Sequence, residues 1–426
     1  MIFLTKWKET EIGKIPEDWG IEQAQVFCKH VTDGTHDSPK RTKNGKYLIT
    51  SRHIKENKLN FDNAYFISNN DFIKISLRSK VEQWDVIFSM IGTVGEEYLE
   101  KNNKVDYAIK NVGLFKTGSE QKSKWLFYYL KSKQAKEYIA SHKIGTTQEY
   151  ITLDTLRKFP ISFPKLENEA IAIAKILSDL DSKIELNNQM NATLEAMAQA
   201  IFKHWFIDFE FPDENGKPYK SNGGKMVDSE LGKIPEGWHV GKVSDEFNLI
   251  MGQSPPGSSY NENADGTAFF QGRTDFNFRF PTIRIFCNAP TRFAEGGDTL
   301  VSVRAPVGDI NMSLEKCCIG RGIAAIRHKS RSSSYTYYVM KNLRNTFENF
   351  EAQGTVFGSI NKNGFETIKL LVPPTKMIEL FEKTVYSIDS SIKCNTLNMY
   401  SLIKVRDSLL PKLMSGKIRV QMVVSK

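Results

Sequence analysis

A heptad stripe that occurs twice restricts what this chain can fold into. Leu177, Leu180, Ile184, Asn187, Asn191, Leu194, Ala198, Ile201 and Trp205 fall at alternating steps of three and four. That spacing lines a mostly apolar seam along one side of a helix. Shifted by 208 positions, the seam returns as Val385, Ile388, Ile392, Asn395, Met399, Leu402, Arg406, Leu409 and Leu413. A lone stripe is often a core helix, but two with Asn at matching positions predict a pair. Exposed apolar stripes cost free energy in water, so each is expected to cover the other. Asn187 and Asn395 are the polar positions expected to fix register. Each seam rises about 42 Å at 1.5 Å per residue, against about 34–36 Å for one turn of B-form DNA.

The duplication extends to the rest of the chain. Glu11-Ile-Gly-Lys-Ile-Pro-Glu-Asp-Trp19 returns as Glu230-Leu-Gly-Lys-Ile-Pro-Glu-Gly-Trp238. Asp85-Val-Ile-Phe-Ser-Met-Ile-Gly-Thr-Val-Gly95 returns as Asp298-Thr-Leu-Val-Ser-Val-Arg-Ala-Pro-Val-Gly308. Phe127-Tyr-Tyr-Leu-Lys-Ser132 matches Tyr337-Tyr-Val-Met-Lys-Asn342, and Gly145-Thr146 matches Gly354-Thr355. The offset falls from 219 to 213 to 208 along the chain, so a framework persists while lengths between landmarks change. Residues 23–84 and 242–297 resemble each other least. Loops tolerate such change and carry recognition, so each half is expected to recognise something different.

One copy reads as α/β. Residues 26–31, 47–50, 86–89 and 158–163 are expected strands, and 124–142 an expected helix. Asp33-Gly-Thr-His36-Asp-Ser-Pro39 is a polar loop, replaced in the second copy by Gly252-Gln-Ser-Pro-Pro-Gly257. Residues 268–273 are expected as strand then turn. The turn-rich stretch after Pro212 reads as a connector.

The 426 residues allow several cores. A net charge of +9 points to a polyanionic partner, most simply nucleic acid, although it also fits plain solubility. Five cysteines without a C-x-x-C pair argue against a disulfide framework or zinc site. Residues 1–4 are too short for a signal-peptide core and no apolar run reaches membrane length, so a cytoplasmic protein is expected. Phosphate-binding, zinc-hydrolase and nucleophile-elbow motifs are absent from the sequence. The Ser254-Pro-Pro-Gly257 and Val372-Pro-Pro-Thr375 stretches lack the polar and aromatic flanks with which an amino-methyltransferase holds its target base. No catalytic residue and no metal site is expected. His30, His36 and His53 are read as surface or DNA-facing groups.

The two I/L-G-K-I-P-E-x-W openings, the loops Asp33-Gly-Thr-His36 and Gly252-Gln-Ser-Pro-Pro256, and Trp205-Phe-Ile-Asp-Phe-Glu-Phe-Pro212 closing the first seam carry a family resemblance. From about Trp7 to Ile418, the chain resembles the specificity subunits of type I restriction-modification systems. The resemblance implies two similar α/β target-recognition domains separated by two long antiparallel coiled-coil helices, with pseudo-two-fold symmetry. Expected boundaries are 1–164 and 240–374 for the domains, 165–206 and 375–416 for the helices, 207–239 for the connector and 417–426 for the tail. It also implies a non-catalytic subunit that docks two methyltransferase subunits, joined by restriction (translocase/nuclease) subunits. Each domain would read half of a bipartite duplex site. No cofactor is expected on this chain; S-adenosylmethionine, ATP and Mg belong to the implied partners. Two other readings stay open: a self-contained modification enzyme, and a non-specific nucleic-acid-binding or scaffolding coiled-coil protein.

For DNA, phosphate contacts are expected from Lys40, Arg41, Lys43, Lys46, Lys55, Arg273 and Arg304. Base edges are expected to meet His36, Arg52, His53 and Gln148 in the first domain, and Gln253, Gln271, Arg273 and Asn361 in the second. Helix pairing is assigned to Leu177, Leu180, Ile184, Asn187, Leu194, Ile201, Val385, Ile388, Ile392, Asn395, Leu402 and Leu409.

Overall fold

The two seams are the helices Glu167–Phe206 and Thr375–Met414. They belong to a computed structural model that describes residues 6–352 and 358–420. Residues 1–4, Gly354-Thr355 and the tail from 421 onward lie outside the described residues. The chain divides into two units, 1–186 with 399–426, and 187–398. Each unit therefore contains part of both long helices.

In the first unit the four-stranded sheet runs in the order Glu97–Leu99, Val86–Ser89, Val112–Lys116, His30–Asp33, with antiparallel neighbours. Every side chain of Val86–Ser89 is buried because the strand has a core on each face. Val86 and Phe88 join Trp19, Trp125, Leu177, Leu410 and Leu413, whereas Ile87 joins Ile49, Tyr107 and Leu114. Period-two alternation thus serves two cores at once. Beyond the second core lies a smaller sheet in which Tyr107–Ile109 runs parallel to Lys46–Ile49, and Tyr65–Ile67 antiparallel to it. Trp19–Gln23 pairs with Pro160–Pro164, directly before the first long helix.

The second unit repeats this topology. Its four-stranded sheet is Phe247–Met251, Ile323–His328, Thr299–Val303, Val307–Met312, and its second sheet, here extended to five strands, again contains one parallel pair, Thr267–Phe270 with Cys317–Ile319. Val301 and Val303 face the core that holds Trp238 and Phe381, while Leu300 faces the core of the five-stranded sheet. Even the hairpin staple recurs. Ser89 Oγ donates to Thr93 O and accepts from Glu96 N, and Ser302 Oγ donates to Pro306 O and accepts from Asp309 N.

Two local expectations change. Residues 26–31 begin as a helical turn, Ala24–Phe27, before the strand His30–Asp33. The single helix expected over 124–142 is two, Glu120–Leu130 and Lys133–His142, because Ser132 caps the second by accepting from Ala135 N at 3.2 Å. Residues after Pro212 fold onto the second unit, where Phe211 stacks on Tyr219 and Trp238.

None of the seam positions named from the sequence is exposed. Within the first unit Arg406 meets Asp181 at 2.8 Å, and within the second Asn191 meets Thr396 at 3.3 Å. Partners advance along one helix as they retreat along the other, so the pairing is antiparallel. The expected polar partner changes. Asn395 donates to Asn191 Oδ1 at 3.0 Å, whereas buried Asn187 has no hydrogen-bond partner for its amide nitrogen among the described residues. Opposed helices bring a residue one turn further along into register, which a matched-position argument overlooks. Pro411 lies in the last turn of the second helix.

Candidate nucleic-acid interface

Each unit brings three loops together where its parallel strand pair ends. In the first unit Ile49 and Ile109 are partners, and the chain leaves them through 50–53 and 110–111. The loop after His30–Asp33 closes against both. Gly34 N donates to Val112 O at 2.9 Å, Thr35 N to Ile109 O at 3.0 Å, and Lys110 N to Ile49 O at 2.8 Å. In the second unit Gly252 N donates to Ile323 O at 2.9 Å, Gln253 N to Ile319 O at 3.0 Å, and Gly320 N to Phe270 O at 2.9 Å. These three backbone bonds are therefore shared by the two junctions, while the side chains on them differ.

Those side chains lock the loops together by different chemistry. His36 places Nδ1 3.0 Å from Asn111 Oδ1 and Nε2 2.9 Å from Asp33, which also takes Arg78. In the second unit the Gln271 amide lies 2.9–3.0 Å from Ser254 Oγ, and that hydroxyl accepts from Arg321 N at 3.2 Å. Asn111 adopts a left-handed φ of 54°, which Asn tolerates better than most residues. Asn111, Lys110 and Arg321 were not singled out from sequence. The signal was present: Ile109-Lys-Asn and Ile319-Gly-Arg occupy matching places before matching strands.

The residues named from sequence divide into those at the junction and those beside it. His36, Arg52, Gln253, Gln271 and Arg273 are exposed on the junction loops. His53 is the exception. It is buried, its ring accepts from Thr50 N at 2.8 Å, and burial lowers its pKa, so the neutral ring braces the turn Ser51–His53 instead of facing outward. Arg273 pairs with Asp309, and Arg304 is exposed just after Val303, whose N–H reaches Gly322 O at 2.9 Å. Lys40, Arg41, Lys43 and Lys55 are exposed and Lys46 is half-buried. Arg41 lies over the Tyr65 ring at 4.7 Å, and Lys46 bonds Asp106 at 2.8 Å. Gln148 is exposed in a separate loop, where Gly92 N donates to Glu149 O at 2.9 Å. Asn361 caps the helix Lys362–Glu366 by accepting from Gly364 N at 2.8 Å.

Among the described residues no group of His, Cys, Asp and Glu side chains is arranged to hold a metal ion. Among the described residues no helix is long and apolar enough to cross a membrane. The arrangement offers exposed hydrogen-bonding side chains on a fixed backbone frame, which suits contact with base edges.

Comparison with known proteins agrees with this architecture. The chain is 30% identical to the putative type I restriction enzyme MjaX specificity subunit of Methanocaldococcus jannaschii, over 97% of each chain. It is 25% identical to the HindI specificity subunit of Haemophilus influenzae, covering 83% of this chain and 90% of that one. The crystal structure of a type I S subunit from M. genitalium shares the fold, with a TM-score of 0.59 at 17% identity over 95% of this chain and 97% of that one. The family model for the type I restriction modification DNA specificity domain matches twice, at residues 16–196 and 235–388. With both copies matched across more than half of its length, the chain belongs to the type I restriction-modification DNA specificity family.

Proposed function

We propose that this chain is the DNA-reading, non-catalytic subunit of a type I restriction-modification complex, each domain reading one half of a bipartite duplex site. One observation carries the proposal: the same three-loop junction is built twice and furnished with different side chains. A duplicated frame with altered contacts is what two readers of two different words require. Base edges would meet His36, Arg52, Gln148 and Asn111 in one domain, and Gln253, Gln271, Arg273, Arg321 and Asn361 in the other. Lys40, Arg41, Lys43, Lys46, Lys55 and Arg304 would hold phosphates, adding affinity that falls with salt.

The long helices would dock two methyltransferase subunits. Leu186, Met190 and Met197 on the first helix, and Leu380, Tyr386 and Val405 on the second, are exposed apolar side chains that such docking would cover. Restriction subunits would join that core, in the cytoplasm. S-adenosylmethionine, ATP and Mg would be bound by these partners.

The test is selection from a duplex library with two randomised blocks separated by a spacer. Enrichment of a fixed word in each block is expected. Arg273→Ala should relax one word by about 1–3 kcal/mol and leave the other unchanged. Equal loss on all sequences would instead make Arg273 a phosphate contact, and enrichment of no word would reject DNA reading altogether.

A further inference from the structure

Arg279 lies in the segment where the two copies resemble each other least, six residues beyond Arg273. It is only 2% exposed. Its Nε donates to Glu195 of the first long helix at 2.9 Å, and one terminal nitrogen donates to Asp389 of the second at 3.0 Å. The same nitrogen reaches Tyr338 OH at 2.6 Å, and the guanidinium lies 3.9 Å over the Tyr337 ring. Glu195 also accepts from Lys341 at 2.8 Å and from Gln199 at 3.0 Å. Burial works against the Glu195 charge, but Arg279 and Lys341 outweigh it and hold the carboxyl below its usual range.

The duplicated counterpart in the first unit draws its guanidinium from a different element. There Tyr128 donates to Asp181 at 2.8 Å, as Tyr338 does to Asp389 at 3.2 Å, and a guanidinium again meets the carboxylate. That guanidinium is Arg406, carried by the long helix itself. At the helix offset of 208, Arg406 corresponds to Ala198, and Glu195 to Ile403. The second unit thus leaves the helix position small and fills the charge from its variable loop. The variable segment of the first unit reaches the first long helix through the exposed pair Lys58–Glu185 at 3.6 Å.

Residues 273–284 form a closed loop on the Arg279 anchor. Thr282 N donates to Asp275 O at 2.8 Å, and Arg284 Nε donates to the buried Asp275 carboxylate at 2.7 Å. Phe280 is sunk in the main core beside Arg279, while Arg273, Asn277 and Phe278 face outward on the same loop. Planar, bidentate guanidinium contacts fix orientation as well as distance. We propose that Arg279 is a positioning residue for DNA reading: it clamps the recognition loop of the second domain to both long helices. Sequence preference in that domain therefore depends on a buried guanidinium lent by its own recognition loop, where the first domain takes Arg406 from the long helix.

This inference rests on the DNA-reading function proposed above, and one selection experiment separates the two. The full-length chain is offered the duplex library with two randomised blocks. A wild-type chain that enriches no word sinks the DNA-reading function itself. Arg273→Ala identifies which word belongs to the second domain. The decisive variant combines Arg279→Met with Glu195→Gln and Asp389→Asn, so that neither buried carboxylate is left without its guanidinium. It is expected to melt within a few degrees of wild type, yet to discriminate the second word about tenfold less. The first word should be unchanged. Arg279→Lys, which keeps charge but loses the fork, should recover part of the preference. Full preference for the second word in the folded triple variant overturns the proposal. So does loss of both words together, which would mark Arg279 as a general stabilising contact.

Discussion

Gly34 and Gly252 show what a single side chain can decide at the junction. A Cβ on Gly34 would stand 2.4 Å from Ile109 O, and one on Gly252 2.1 Å from Gly320 O. Both obstacles are backbone carbonyls at the end of the parallel strand pair, so lack of space requires glycine here. Gly34→Ala should push its loop off the strand ends and cost about 1–3 kcal/mol, as overpacking does. The preference at the first half-site should weaken while the second is kept, and Gly252→Ala should do the reverse. Thermal melts and block-selective enrichment read both effects; equal weakening of both words by either variant would refute the local role. The loops Asp33-Gly-Thr-His36 and Gly252-Gln-Ser-Pro-Pro256 could be picked out from sequence. Their reason could not, because the carbonyls they meet belong to strands far along the chain. His53 was misjudged for a related cause. It follows exposed Arg52 in sequence, but the tight turn Ser51–His53 directs it inward.

The long helices were legible because heptad spacing is local information: neighbours three and four apart share a face whatever the rest of the chain does. The small strands were less so, since a three-residue strand such as Tyr107–Ile109 carries too few side chains to show a period. The polar layer of the seam lay between these cases. Its asparagines were visible, but which ones bond depends on the stagger of opposed helices. That stagger gives two asparagines opposite predicted behaviour. Asn191 accepts from Asn395 and donates to Thr396, so Asn191→Leu strands a partly buried amide and should cost about 1–3 kcal/mol. Asn187 is buried without a described partner for its amide nitrogen, so Asn187→Leu should be neutral or stabilising by about 1 kcal/mol. Denaturant melts of the two variants test this contrast; a larger loss at Asn187 than at Asn191 would mean that the polar layer is organised differently.

At the scale of the molecule, chain order and unit membership do not coincide. The second unit is one continuous stretch, 187–398, whereas the first needs both 1–186 and 399–426. The late segment supplies core as well as surface. Leu410, Leu413 and Met414 are buried in the cluster that holds Trp19, Trp125 and Leu177. Arg406 satisfies Asp181, and Arg419 binds Glu169 at 2.6 Å and Asp18 at 3.1 Å. Gly416 fits so closely that a Cβ there would meet Pro16 at 2.3 Å. Burying three large apolar side chains stabilises by about 5–9 kcal/mol, comparable with the whole stability of a typical domain, about 5–15 kcal/mol. A chain ending at Asn398 should therefore lose the first unit and keep the second. Amide exchange is expected to show fast exchange across 16–164 with protection retained across 240–374. Protection of 16–164 in the truncated chain would contradict this. The same truncation should keep the word read by the second domain and lose the other, because the first reader is completed only by the last residues of the chain.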